Sequence, residues 1–215
     1  MILFFKKNKI NLSKLPQSQA GMTYVELIVV LSIFSVMSSI VAFNYGAFQS
    51  RIDIKNLAND IALKVVEAQK SSLFGKFPRP DLQVGLSTTW KPSYGVYINP
   101  ATDNKSFLYF VDLDQNGGIH NPTCAAYNDE CLEKITITKG NYVSSIDAYY
   151  QEGNDATKVN LADIAVTYSR PSSGAIVKST TVFNTNFLYV QIKIMTPSAT
   201  YSKIKIYQSG RIQIN

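Results

Sequence analysis

The sequence predicts an α+β fold in which one long N-terminal helix packs on an antiparallel β-sheet. Residues 22–43 form an uninterrupted apolar segment, and apolar residues at spacings of three and four follow it. The C-terminal two-thirds is rich in Thr, Val, Ile and Asn, which favours strands and turns. At 215 residues the chain can hold one domain with a substantial core plus a further element.

Positive charge is concentrated at the N-terminus. The formal net charge is +6, and residues 1–21 hold four lysines and no acidic residue. These lysines are Lys6, Lys7, Lys9 and Lys14. The rest of the chain is therefore close to neutral, and a general nucleic-acid-binding function loses most of the support that the basic pI would give it.

Residues 1–21 do not have the order of a secretory signal peptide, because the basic stretch ends at Gly21 and the apolar run comes after it. As a helix, residues 22–43 would span roughly 33 Å, enough to cross a bilayer core. Lysines before this segment predict a cytoplasmic leader. The expected location is therefore the cytoplasmic (inner) membrane, crossed once, with the C-terminal domain outside.

Glu26 is an acidic residue inside the apolar segment, where a carboxylate is unfavourable unless it has a partner or lies near the membrane surface. One interpretation is that Glu26 lies at the interface and reaches water. The other is that cleavage after Gly21 frees the amine of Met22, and Glu26 pairs with such an amine on a neighbouring helix. That pairing would set the register of lateral assembly.

The run from Gly21 to Val30 resembles the class III signal of type IV pilins and pseudopilins. In that family a glycine precedes the cleavage site and a glutamate is fifth in the mature chain, as Gly21 and Glu26 are here. The resemblance implies that prepilin peptidase cuts after Gly21 and methylates Met22. The first mature residue of the family is usually Phe, so Met22 is a mild departure.

The resemblance implies a pilin-like fold and a structural role. The expected function is that of a minor pilin or pseudopilin in a type IV pilus-like or type II secretion filament, in the periplasm or at the cell surface. Its partners would be other pilin or pseudopilin subunits, prepilin peptidase and the assembly platform in the membrane. The alternatives are a DNA-uptake pilin and a membrane-tethered binding protein that does not polymerise.

The predicted organisation has four parts: a cleaved leader (1–21), a membrane and filament-core helix (22–46), an amphipathic helix (47–75) and a β-rich domain (76–215). We expect residues 22–74 to form one helix that ends before Gly75 and Pro78. Two helices joined by a hinge at Gly46 are the alternative.

Residues 76–93 are expected to form a connector, because three of the eight prolines lie there. Short runs with β-branched and aromatic residues predict strands after it. These are Tyr94–Asn99, Ser106–Asp112, Lys134–Thr138, Ile164–Ser169, Ala175–Phe183, Phe187–Met195, Ser202–Gln208 and Arg211–Ile214.

Oxygen-bearing side chains alternate in one short segment and precede a glycine, as at the start of an EF-hand calcium loop. They are Asp112, Asp114 and Asn116. Position twelve of such a loop would be Thr123 rather than the bidentate Glu that calcium loops use. Glu130 and Glu133 lie farther on and would contribute only in a different loop geometry. A structural calcium and a plain hairpin turn therefore both remain open.

Cys124 and Cys131 are the two cysteines of the chain. Together with His120, the single histidine, they cannot supply four zinc ligands without Asp or Glu, so no transition-metal site is expected. Outside the membrane a disulfide is favoured. No nucleophile or acid–base constellation is recognisable, and we expect neither catalysis nor a cofactor other than structural calcium.

Residues 203–215 predict a hairpin with Ser209 and Gly210 at its turn. Here the chain again resembles pilin-like proteins, the H-type pseudopilins of type II secretion and their relatives in DNA-uptake pili. In those relatives a basic C-terminal turn can touch DNA, which would make three basic residues phosphate contacts. They are Lys203, Lys205 and Arg211. Ordinary surface charge on the sheet is the alternative.

Overall fold

The computed structural model describes residues 21–83, 86, 88–122, 124 and 130–215. The lysine-rich stretch predicted as a leader therefore lies almost entirely outside the described residues, as does Thr123. The chain divides into two compact units, Met1–Asn44 and Tyr45–Asn215. Nearly all of the tertiary packing described below belongs to the second unit.

One long helix, α1, covers Tyr24–Leu73, close to the predicted range of 22–74. Residues on both sides of Gly46 are helical, so the helix is not interrupted there. The helix ends because Gly75 adopts a left-handed conformation, with φ of 72°. The N–H of Gly75 then bonds to the carbonyl of Ser72, and the N–H of Lys76 bonds to that of Ser71.

The C-terminal part of α1 has one buried face, at the spacings that the sequence predicts. Its apolar members are Ile54, Leu57, Ala58, Ile61, Val65 and Ala68. At the end of this face the buried Ser72 hydroxyl accepts a bond from the N–H of Tyr94 at 3.0 Å and donates to the carbonyl of Tyr168 at 2.7 Å. The helix is thus fixed to two neighbouring strands by hydrogen bonds as well as by packing.

The β-rich region forms two five-stranded antiparallel sheets, where the sequence analysis expected one. A short 3₁₀ helix at Pro80–Leu82 precedes them. The strands are β1 (Ser93–Ile98), β2 (Ser106–Val111), β3 (Cys131–Thr136), β4 (Tyr142–Tyr149), β5 (Val159–Leu161), β6 (Ile164–Ser169), β7 (Ile176–Lys178), β8 (Tyr189–Met195), β9 (Tyr201–Tyr207) and β10 (Ile212–Ile214). The orders are β3-β2-β1-β6-β7 in the first sheet and β10-β9-β8-β4-β5 in the second.

Two strands, β4 and β5, lie outside the predicted set. An irregularity between Val143 and Ser145 shifts the register of β4 against β8 and breaks the period-two pattern that identifies a strand. Strand β5 has only three residues. The predicted strand at Ala175–Phe183 was too long, because β7 ends at Lys178 and the buried carboxylate of Asp163 accepts bonds from Ser179 and Thr180 instead.

Apolar residues from α1 and from both sheets form one continuous core. A second, smaller cluster lies on the other face of the first sheet, beneath the segment that follows β2. Its buried members are Tyr97, Leu108, Phe110, Cys131 and Ala165, and Ile119 and Cys124 pack against them. This second cluster holds Ile119 and Cys124, which follow β2, against the sheet.

Candidate functional site

The N-terminal part of α1 presents apolar side chains to its surroundings. Every residue from Gly21 to Phe48 is exposed, including Phe34 at 67% and Phe43 at 85%. The helix is long and apolar enough to cross a membrane. Exposed apolar surfaces of this size are typical of sites that contact a membrane or another protein chain.

The three residues that the sequence analysis assigned to processing and assembly lie at the start of this helix. Gly21 and Met22 precede α1, and Glu26 is in its first turn. The N–H of Glu26 bonds to the hydroxyl of Thr23 at 3.2 Å. Thr23 and Glu26 thus have the spacing of a capping box, in which a Thr caps the helix and a Glu follows three residues later.

Thr23 therefore caps the start of α1 through the main-chain N–H of Glu26. The pattern was visible in the sequence as Thr-x-x-Glu before an apolar run. An acidic side chain in the first turn also interacts favourably with the helix dipole. Neither the cap nor the interaction with the helix dipole requires contact with another chain. A role of Glu26 in assembly must therefore be separated from them by experiment.

A second group of functional candidates lies in the turn after β2. One oxygen atom from each of Asp112, Asp114 and Glu130 lies within 4.8 Å of the others. Asp112 and Glu130 are buried, and Asp114 is exposed. Glu130 reaches the turn because its carbonyl accepts a bond from the N–H of Val111, which extends the β2–β3 ladder by one residue.

The backbone bends sharply in this turn. Gln115 and Gly117 both have left-handed conformations, with φ of 58° and 81°. Glycine suits the second position, because a Cβ on Gly117 would lie 3.1 Å from a methyl carbon of Ile176. The turn therefore curls back so that the N–H of Gly117 bonds to Asp112 Oδ2 at 2.9 Å.

Two other residues considered at this site have different partners. The Oδ1 atom of Asn116 accepts the N–H of Gly118 at 2.6 Å, and its amide nitrogen donates to Asp114. Glu133 pairs with Lys64 at 2.8 Å, away from the turn. Asn116 thus stabilises the turn itself, whereas Glu130 joins the two aspartates.

Burial raises the pKa of Asp112 to about 6, because its charged form loses water. It also raises the pKa of Glu130. Backbone N–H groups oppose the shift at both residues, from Gly117 to Asp112 and from His120 and Leu113 to Glu130. Burying negative charge at this turn is therefore unfavourable, and backbone dipoles offset only part of the penalty.

Cys124 and Cys131 form a disulfide, with Cα atoms 5.1 Å apart. Cys131 begins β3 and directly follows Glu130. The disulfide therefore links Cys124 to the residue that directly follows Glu130, one of the three carboxylates, and the turn with Asp112 and Asp114 lies earlier in the chain, outside the loop that it closes. His120 is exposed and lies between the acidic turn and Cys124.

The C-terminal hairpin predicted from residues 203–215 is formed by β9 and β10, with Gly210 at its turn. Its basic residues have different surroundings. Lys205 pairs with Glu152 at 2.7 Å, and its side chain is only 12% exposed. Lys203 lies 5.8 Å from the ring centre of Tyr201, and the guanidinium of Arg211 lies over the ring of Tyr207. Lys205 is thus poorly placed to contact phosphate.

Comparisons with known proteins return no match, since no family model, no curated protein and no solved structure is similar to this chain. The functional argument therefore depends on the chain's own residues. Among these, the exposed apolar helix with Glu26 near its start is the most distinctive feature.

Proposed function

We propose that this chain is a minor pilin or pseudopilin, a structural subunit of a type IV pilus-like or type II secretion filament. The observation that carries the proposal is the first part of α1, which is apolar, exposed and acidic only at Glu26. The second unit has its own core, whose residues begin at Ile54 and include none from this exposed surface. The exposed part of the helix is therefore available for contacts between subunits.

Maturation supplies the partner for Glu26. The chain inserts with its leader in the cytoplasm, and prepilin peptidase cuts after Gly21 and methylates Met22. The new N-terminus is a cation at the end of an apolar helix. Pairing it with Glu26 of a neighbouring copy satisfies both charges only when the helices assemble side by side, since an unpaired charge in the membrane is strongly unfavourable.

Photo-cross-linking from the exposed helix tests this proposal. A benzophenone amino acid at Phe34 or Phe43 is expected to yield cross-linked subunits in membranes that contain prepilin peptidase and an assembly platform. The products should disappear when the peptidase is absent. The same group at Val182, which is 95% exposed on the β-rich unit, serves as the control. Identical products with and without the peptidase would favour a tethered protein that does not polymerise.

DNA uptake remains the second candidate function, on narrower grounds. Lys193 and Lys203 are opposite each other on β8 and β9, and both lie within 6 Å of the ring of Tyr201. Adjacent basic and aromatic side chains on a sheet are the groups that bind single-stranded nucleic acid. This candidate would use Lys203, Arg211 and Lys193, because Lys205 is paired with Glu152.

A further inference from the structure

The carboxylates at the turn after β2 have the geometry of ion ligands. Calcium binds oxygen at 2.3–2.6 Å, so two ligands on opposite sides of the ion are about 5 Å apart. The mutual limit of 4.8 Å among oxygens of Asp112, Asp114 and Glu130 meets this condition. These residues come from two chain segments, the turn itself and the residue before β3, and not from one continuous acidic run.

A second observation points to a ligand at this position. The Oδ2 atom of Asp112 accepts bonds from Ser93 and from the N–H of Gly117. Its other oxygen, Oδ1, is buried and has no hydrogen-bond partner among the described residues. Water cannot easily reach this oxygen, because Asp112 is only 1% exposed. A buried carboxylate oxygen without a partner is unfavourable and rare, so this oxygen points to a bound ion or water molecule as its partner.

The hydrogen bonds of Glu130 and Asn116 indicate which of the two residues can serve as an ion ligand. Glu130 receives N–H groups from Leu113 and His120, which hold its carboxylate in place. The amide oxygen of Asn116 is used by Gly118. Glu130 therefore supplies the carboxylate that an EF-hand loop has at position twelve, where this chain has Thr123. Asn116 stabilises the turn and is not part of the carboxylate cluster.

We propose that Asp112, Asp114 and Glu130 bind one calcium ion, which ties the turn after β2 to the residue before β3. Three carboxylates are hard ligands that suit calcium, and the remaining coordination positions go to water or main-chain oxygen. Softer metals prefer sulfur or imidazole, and both cysteine sulfurs are in the disulfide. The ion would stabilise this loop whether or not the chain enters a filament.

Terbium luminescence tests the site directly, because Trp90 is the only tryptophan and is adjacent to the turn. Its indole nitrogen donates to the main-chain carbonyl of Asp112 at 3.1 Å. Excitation of Trp90 in the full chain in detergent is expected to sensitise bound terbium. The signal should saturate with terbium, and excess calcium should abolish it.

Two variants connect the signal to the proposed ligands. Asp114→Asn is suited to the test because Asp114 is exposed and the substitution does not endanger the core. Asp114→Asn and Glu130→Gln are each expected to weaken calcium competition by about tenfold or more. Asp103→Asn is the matched control, since Asp103 also accepts bonds within a turn but lies outside the cluster.

Calcium should also raise the midpoint of thermal unfolding. At about ten times the dissociation constant, the expected increase is about 3–6 °C for the unmodified chain, with a much smaller increase for Glu130→Gln. The proposal is overturned if terbium gives no sensitised signal. It is equally overturned if the signal persists unchanged in folded Asp114→Asn and Glu130→Gln chains, because binding would then be elsewhere.

Discussion

Replacing Glu26 with Gln is expected to reduce incorporation of the chain into filaments by about a hundredfold or more, while insertion and leader cleavage continue. The reason is that Gln keeps the size and hydrogen-bonding groups of Glu but removes its charge, leaving the Met22 amine of the neighbouring subunit unpaired. Losing one partner of a buried ion pair costs about 3–5 kcal/mol. The measurement is the amount of chain in sheared filaments relative to membranes.

The capping box at the start of α1 provides the control for this experiment. Thr23→Ala removes the hydroxyl that accepts the N–H of Glu26 but leaves the carboxylate charged. Its expected cost is about 1 kcal/mol of helix stability, with filament incorporation largely retained. Normal incorporation of Glu26→Gln would contradict the pairing, and equal losses in both variants would assign the role of Glu26 to capping.

The second large effect concerns the buried face of α1. Ile61→Ala is expected to lower the free energy of unfolding by about 2–5 kcal/mol, because Ile61 is fully buried in the core shared by the helix and both sheets. Unfolding of the full chain in detergent can be followed by urea titration. The fluorescence of Trp90, which is 9% exposed, reports on the β-rich unit.

Leu63→Ala is the matched comparison, two residues away on the same helix. Leu63 is 66% exposed, so its truncation should change the free energy of unfolding by no more than about 0.5 kcal/mol. Similar losses in the two variants would show that the helix does not pack on the sheets through the Ile61 face.

Periodicity explains why the helix could be predicted closely and the sheets only in part. The apolar spacing that identified Ile54 through Ala68 depends on local geometry, and the buried face follows it. A strand's alternation shows which side chains share a face but not which strand pairs with it. The division into two sheets, and the bulged strand β4, therefore could not be read from local pattern.

The same distinction applies to the candidate sites. Asp112 and Asp114 were identified because they are close in sequence, whereas Glu130 reaches them through the β2–β3 pairing. Lys205 shows the opposite case: its basic charge was evident, but its pairing with Glu152 from another loop was not. Long-range contacts decided both outcomes, and single-sequence patterns contain little information about them.

The most direct test of the filament account is the intact mass and N-terminal sequence of the membrane-extracted protein, with and without prepilin peptidase. The account predicts a peptidase-dependent product that begins with methylated Met22. A chain that still begins with Met1 when the peptidase is present would contradict it. The protein would then be a membrane-anchored domain, and the proposed pairing of Met22 with Glu26 would not occur.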